Sequence, residues 1–357
     1  MWPQVISIIL KILIQKLSKM KHSESQQDVG EDEYIEIVIS AHDVIEYKRL
    51  DVFLAQKISH LSRSFLKQLF LNKQISLKVE ESKKLELKRM PEEGSIIQIQ
   101  VPPPLPDKAQ PEELPLDILF EDEHLLILNK AAGMVTHPAP GNWTGTLVNA
   151  VLFHCKDLVG MSDTKRPGIV HRLDKGTSGL MVVAKSRKCH EGLVLLFSRH
   201  DIIRKYECLS MGTKQDKCGK IESLIGRHQN NRLKMTTQVS KGKNAITHYK
   251  VINYFENLTH IELTLETGRT HQLRVHLSEI LKSAILCDPI YGNPKQDLIR
   301  VGKELTSIIS GHPHPFLHAK TLGFKHPITT EDLLFETEPP KEFQQCLDYL
   351  HKYELNL

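Results

Sequence analysis

The 357 residues carry 47 Lys and Arg against 43 Asp and Glu, a formal charge of +4, with 40% hydrophobic residues. That is enough apolar side chain to bury a substantial core in two or three domains, and too little net charge for a histone-like polycation, so any nucleic-acid surface must come from local clustering. Six cysteines, at 155, 189, 208, 218, 287 and 346, occur without a Cys-x-x-Cys pair, which argues against a zinc ribbon and a disulfide framework and for a reducing compartment.

From the amino end, residues 5–17 are apolar and amphipathic, but Lys11 interrupts the run and no small-residue cleavage site follows. The segment reads as a dispensable leader, or as an overlong start upstream of Met20, rather than as a signal peptide or a spanning helix. Residues 18–33 are polar and charged, so 1–33 is assigned as leader and flexible tether. Folded structure is expected from Tyr34. Residues 34–39 alternate as a strand does, after which Leu50, Phe53, Leu54 and Ile58 recur at helical spacing, and Phe65, Leu66, Leu69 and Phe70 do so again, with Ser62 and Ser64 placed to cap the second helix. Residues 48–89 hold eleven Lys or Arg against four Asp or Glu, among them Arg49, Arg63 and Lys67. A strand over 94–101 closes this first domain, assigned to 34–101. The run Pro102-Pro103-Pro104-Leu105-Pro106 then removes backbone donors and opens an acidic linker over 102–115.

The larger domain, assigned to 116–350, is expected to open on the strand Leu125-Leu126-Ile127-Leu128. Strand-like runs at 179–184, 251–255 and 261–265 alternate with helical patterns at 144–153 and 190–197, which makes the chain an α+β protein with inserted loops and no internal repeat. At its centre stands His171-Arg172-Leu173-Asp174-Lys175-Gly176-Thr177-Ser178-Gly179, one carboxylate in a turn of small residues, bracketed by arginine and lysine. Such neighbours favour the ionised acid, Gly176 and Gly179 can take positive φ, and Thr177 and Ser178 can brace the turn. A phosphate-binding P-loop is excluded because Lys-Gly-Thr reverses the required order.

These residues resemble the signature of the RluA-type RNA pseudouridine synthases. Four further segments resemble that family in its order: Asn129-Lys130 with His137-Pro138-Ala139-Pro140-Gly141-Asn142, then Arg204-Lys205-Tyr206-Glu207, then Glu266-Thr267-Gly268-Arg269-Thr270-His271-Gln272-Leu273-Arg274, and finally Asp288-Pro289-Ile290-Tyr291-Gly292. The resemblance spans about residues 117 to 340, and with Thr247-His248-Tyr249 it is similar to the large-subunit ribosomal RNA branch called RluD. Lys130-Ala131 departs from the family's Lys-Pro. The first domain resembles an S4 RNA-binding domain in Arg49-Leu50-Asp51 and Ser62-Arg63-Ser64. It departs from that pattern at Asn72-Lys73-Gln74-Ile75, where a glycine-containing turn and hairpin would stand.

The resemblance implies a mixed, largely antiparallel sheet with a central catalytic cleft, preceded by the small S4-like domain. It implies isomerisation of uridine to pseudouridine with no cofactor and no metal: the bond from ribose C1′ to uracil N1 is cut, the base turns while bound, and C1′ is joined to C5. Asp174 is expected as the catalytic carboxylate, by attack on C1′ or by assisting an eliminated glycal, two routes the motif leaves open. Arg274 is expected to pair with it through the planar fork of its guanidinium, on a helix begun by Thr270 that turns Leu273, Leu277, Ile280 and Leu281 inward. Tyr206 is expected to stack on the uracil. Arg172, His171, Arg269 and His271, the insertion residues Arg227, Arg232 and Lys234, and Arg49, Arg63 and Lys67 are expected to contact RNA. The partner is RNA, with large-subunit ribosomal RNA or its assembly intermediates foremost, and the protein is read as a cytoplasmic monomer without membrane contact. A transfer-RNA substrate, and a noncatalytic S4-type assembly protein, are the alternatives. A hydrolase reading lacks a Ser or Cys nucleophile with its glycine elbow. His312, His314 and His318 have tempting metal-ligand spacing, but Pro313 and Pro315 break any helix there.

Overall fold

The computed structural model describes residues 32–78, 85–102, 109–139, 142–156, 158, 167–213 and 215–353. The leader, nearly all of the tether and most of the proline run lie outside these residues. The chain divides into two compact units, Met1–Leu105 and Pro106–Leu357.

In the first unit, β1 (Glu33–Val38) and β2 (Ile75–Leu77) flank β3 (Ile96–Val101) in an antiparallel sheet. Its helices are α1 (Ala41–Glu46), α2 (Leu50–Lys57) and α3 (Arg63–Leu71). Leu50, Phe53 and Leu54 of α2 and Leu66 and Leu69 of α3 form one buried cluster with Ile97 and Ile99 of β3, which is why the helical spacing was visible in the sequence. Helix α1 is too short to show an apolar stripe; a capping box between Ser40 and Asp43 holds it. Ser62 caps α3 by accepting from the Phe65 N–H, whereas Ser64 lies inside the helix. Lys73 takes φ +61 in the turn after α3, the conformation for which a glycine is usual.

The second unit is built on a ten-stranded, mostly antiparallel mixed sheet. Its strands are β4 (Asp117–Glu121), β5 (Leu125–Lys130), β6 (Ser178–Ala184), β7 (Ile203–Met211), β8 (Cys218–Arg227), β9 (Met235–Thr236), β10 (Lys243–Tyr254), β11 (Leu258–Leu265), β12 (Leu317–Lys325) and β13 (Asp332–Glu336). They run in the order β4-β5-β6-β12-β7-β11-β10-β8-β9, with β13 paired to β12. Among the strands of the described residues only β6 and β12 pair in parallel. The unit opens on β4 rather than on β5 as expected. The half-exposed alternation of β4, with acids at both ends, hides an edge strand just after the acidic linker. Strands β5 and β6 are apolar without alternation because successive residues feed two cores: Leu126, Leu128, Met181 and Val183 one, Leu125, Ile127, Leu180 and Val182 the other.

Helices α4 (Leu147–His154) and α5 (Arg187–Arg199) start at Thr146 and Ser186, each accepting a backbone N–H in its first turn. The expected helix through Arg274 is one α turn, α6 (Gln272–Val275), continued by a π turn (His276–Ile280). His271, in left-handed conformation, precedes it in place of Thr270. Leu273 and Leu277 are buried as expected, while Ile280 is exposed, because the extra residue of the π turn rotates it off the apolar stripe. Helices α7 (Pro294–Arg300), α8 (Gly302–Ile309) and α9 (Lys341–Tyr353) complete the unit. No helix among the described residues is long and apolar enough to cross a membrane.

Candidate active site

The loop carrying Asp174 leads into β6 and is fixed mainly through its backbone. The Thr177 N–H donates to the Asp174 carbonyl at 3.0 Å, and the Thr136 hydroxyl donates to the Leu173 carbonyl at 2.8 Å. The Lys175 carbonyl accepts from the Gly133 N–H at 2.7 Å and faces the Lys130 ammonium at 3.5 Å. Lys130 is 1% exposed and gives its other protons to the Ala131 and Met134 carbonyls. Burial pushes its pKa down to about 7, against the pull of Asp174. Gly179 has φ +114, and a Cβ there would lie 2.3 Å from the Ala319 carbonyl oxygen on β12, so the close parallel pairing excludes any side chain. Gly176 does not take positive φ; it is needed because a Cβ would meet Pro315 at 2.7 Å. Ser178 braces the site across the sheet, its hydroxyl 2.9 Å from His318 Nδ1, rather than within the turn.

The neighbours Arg172 and Lys175 are both exposed and make no ion pair with Asp174 among the described residues. That contact comes from Arg274, whose Nη1 donates to Asp174 Oδ2 at 3.2 Å. The same guanidinium gives Nε and Nη2 to the two oxygens of Asp288 at 2.7 and 2.8 Å. Asp288 is fully buried and also accepts from the Ile290 and Tyr291 N–H groups. Burial works against both charges of this inner pair, yet their mutual hydrogen bonds win, holding Arg274 above and Asp288 below their ordinary values. The result is a fork with two of its arms locked on a buried carboxylate and the third turned to a carboxylate at a cleft, where the Asp174 side chain is 17% exposed.

The cleft is a cavity of about 500 Å³ lined by Asp174, Arg274, Tyr206, Arg204, Arg269 and His271, together with His171, Arg172 and Phe197. Tyr206, Arg274 and Asp174, named from three separate motifs, therefore line one cavity. Burial pushes the Tyr206 phenol up to about 12, so it is a neutral ring at physiological pH, suited to stacking and not to taking up a proton as phenolate. His171, expected as an RNA contact, lines the cleft. Its Nε2 accepts the Val182 N–H at 3.0 Å, its ring stacks on Phe197, and burial pushes its pKa down to about 3, so it is a neutral brace. Burial likewise lowers His271, whose Nε2 stands 3.9 Å from Asp174.

Of the expected basic residues, Arg227 ends β8, and Arg232 and Lys234 lie in the insertion between β8 and β10. Its tip is self-braced: His228 Nδ1 accepts from the Asn230 and Asn231 N–H groups, and Asn231 Oδ1 from the Leu233 N–H. Arg232 is exposed, and Leu233 beside it is 73% exposed. Tyr291 ties this insertion to the cleft. Its hydroxyl accepts the Met235 N–H at 2.7 Å and lies 2.8 Å from His271 Nδ1, while Lys234 and Arg274 sit over its ring. In the first unit, Arg49 and Arg63 converge on Asp51 at 2.9 and 2.8 Å, and Lys67 is exposed.

Arg204, Asp288 and Tyr291 stand in segments that resemble the family, but no role was assigned to them from the sequence, and Phe197 was read only as part of a helical pattern. Arg204 and Tyr206 stand two apart on a strand, which puts them on one face, and that spacing was the available signal. Of the tempting histidines, His318 has both nitrogens engaged, with Ser178 and the Thr337 carbonyl. Among the described residues Glu121, His154 and Cys155 have ligand atoms within 4.8 Å of one another, but the Lys185 ammonium already pairs with Glu121 at 2.7 Å.

A family model described as RNA pseudouridylate synthase matches residues 124–279. Ribosomal large subunit pseudouridine synthase D of Zymomonas mobilis is 42% identical over 83% of this chain and 92% of its own length. The protein of the same name from Vibrio parahaemolyticus is 38% identical over 85% of this chain and 91% of its own. The solved structure of human RNA Pseudouridylate Synthase Domain Containing 4, 24% identical, aligns with a TM-score of 0.52 over 66% of this chain and 93% of its own, a likeness of fold.

Proposed function

This chain belongs to the RNA pseudouridine synthase family and is an RNA pseudouridine synthase, and on that footing we propose that it isomerises uridines of large-subunit ribosomal RNA with Asp174 as the catalytic carboxylate. The observation that carries the assignment of Asp174 is the Arg274 fork. Two arms spent on Asp288 leave one arm to orient Asp174 at the mouth of a cleft large enough for a nucleotide base.

The reaction expels no group and changes no oxidation state. It needs an oriented carboxylate for C1′, a surface to hold the detached uracil, and removal of the C5 proton. Arg274 orients the carboxylate, and Tyr206 offers a flat apolar ring beside it. The target nucleotide must leave its stack to reach Asp174, so loops and bulges are favoured over perfect helices. Arg172, exposed beside Asp174, is placed to enter the space the base vacates. Arg269 and the basic insertion supply the salt-sensitive part of binding. We assign 34–101 as an S4-like RNA-binding domain after a 1–33 tether, 102–115 as linker and 116–350 as the catalytic domain, acting as a monomer in the cytoplasm on ribosomal RNA or its assembly intermediates.

Mapping pseudouridine across total RNA with and without the protein tests substrate and reaction together. Sites confined to large-subunit ribosomal RNA are expected; sites confined to transfer RNA would replace the substrate assignment. Asp174→Asn keeps shape and removes the charge, so product should fall below detection while RNA is bound within about threefold of wild type; retained turnover would refute the role of Asp174.

A further inference from the structure

The cleft holds more positive charge than its carboxylates match. Arg274 is fully engaged between Asp174 and Asp288, which leaves Arg172, Arg204 and Arg269 on the same cavity. Arg204 is the most informative of the three. It is only 8% exposed, and among the described residues no carboxylate comes within ion-pair distance of it. Its Nη2 donates to the Glu266 carbonyl at 2.7 Å and more weakly to that of Leu265 at 3.4 Å, and its guanidinium carbon lies 5.5 Å from the Phe197 ring centre. Its Nε is buried with no acceptor at all. Gly268 keeps the space beside Nη1 open, since a Cβ there would stand 3.0 Å from that nitrogen.

Arg269 joins the same wall, held by donation from its Nε to the Asn244 carbonyl at 2.9 Å. Burial first, and then the like charge of Arg269, pull Arg204 below the usual arginine value. A guanidinium this deeply buried destabilises the fold unless an anion completes it. Uracil and ribose are neutral and cannot do so; a phosphodiester can, through the planar fork. We propose that Arg204 and Arg269 form a phosphate subsite of the cleft that takes one backbone phosphodiester of the RNA strand beside the target uridine. The subsite rests on the RNA substrate proposed above and anchors the extruded nucleotide by charge, independently of the Asp174 chemistry.

The test uses the full chain and a large-subunit ribosomal RNA fragment, unmodified or with a neutral methylphosphonate walked one linkage at a time past the target. Wild type should lose about tenfold in affinity at one linkage. Arg204→Met should weaken the unmodified fragment by a similar factor, lower the slope of log affinity against log salt by about one, and no longer distinguish that linkage. Arg204→Lys, which keeps the charge, should keep the salt slope; with Arg269→Met it carries the comparison if the Met variant does not fold. The same methylphosphonate penalty in variant and wild type, or an unchanged salt slope, would overturn the subsite and leave Arg204 as a tie to the Leu265 and Glu266 carbonyls. Pseudouridine formation, followed in parallel, separates the two readings: RNA bound through this linkage without product would sink the catalytic assignment alone.

Discussion

Two charge clusters, one in each unit, are mirror images. In the first unit a carboxylate, Asp51, stands between two arginines, Arg49 and Arg63, whose side chains are 46% and 56% exposed. In the second unit an arginine, Arg274, stands between two carboxylates, and its side chain is 6% exposed. The first leaves a surplus positive charge at the surface, where water screens it and the pairing is weak. The second leaves a surplus negative charge on Asp174, in a place where water cannot replace the Asp288 partner. Inverting the composition and changing the burial turns an anion-attracting surface feature into an oriented carboxylate.

The contrast can be broken most forcefully at Asp288. Replacing it by alanine leaves Arg274 buried with one partner, and breaking such a pair costs about 3 to 5 kcal/mol, read in the unfolding transition of the second unit, together with loss of turnover. A change under about 1 kcal/mol would mean that burial does not set the two clusters apart. Tyr291→Phe comes next: it keeps the ring under Arg274 and Lys234 but removes the hydroxyl shared by Met235 and His271. The loss should be about 1 kcal/mol in stability, with kcat lowered up to about tenfold and RNA affinity less affected. Equal loss in kcat and in binding would instead make Tyr291 part of the RNA grip.

The smallest effect belongs to the exposed cluster. Arg63→Ala should cost less than about 1 kcal/mol, and that cost should shrink with added salt. The pH dependence has a definite sign. The Arg49 hydrogen bond, ahead of Arg63, lowers Asp51 from 3.8 to about 2. A depressed acid contributes stability above its unfolded value and loses it as pH falls through its folded value. The stability difference between wild type and Asp51→Asn should therefore be constant above about pH 5, fall as pH drops through about 2 and be gone by about pH 1, worth about 1 kcal/mol once solvent screening by the half-exposed arginines is allowed for. A difference that persists undiminished at pH 1 would assign the effect to packing.

Helices α2 and α3 were readable because their apolar residues repeat at a period the chain itself displays, and β5 and β6 because buried strands read as apolar runs. Strand β4 was not, since an edge strand between acids has no such run. The π turn after α6 was equally invisible: one extra residue per turn leaves no mark on composition, yet it exposes Ile280. At the site, motif residues pointed to Asp174, Tyr206 and Arg274, and the structure gathers them at one cavity. The motif around Asp174 suggested Arg172 and Lys175 as its cations, because adjacency in sequence was the only distance available.

What the sequence determined on its own was local and chemical: the periods of the helices, the turn built of small residues, the presence of one acid in it, and the family that this combination marks. The family resemblance also named Arg274 as the partner of Asp174; what the tertiary structure alone decided was that Asp288 takes the other two arms of that guanidinium and that the buried Arg204 Nε has no acceptor. Asp174 and Arg274 lie 100 positions apart, Asp288 a further 14 beyond, and the unmatched Arg204 on another strand again. Periodicity is written within a few residues of chain, whereas ion pairing depends on burial and distance, which exist only after the sheet has brought distant strands together.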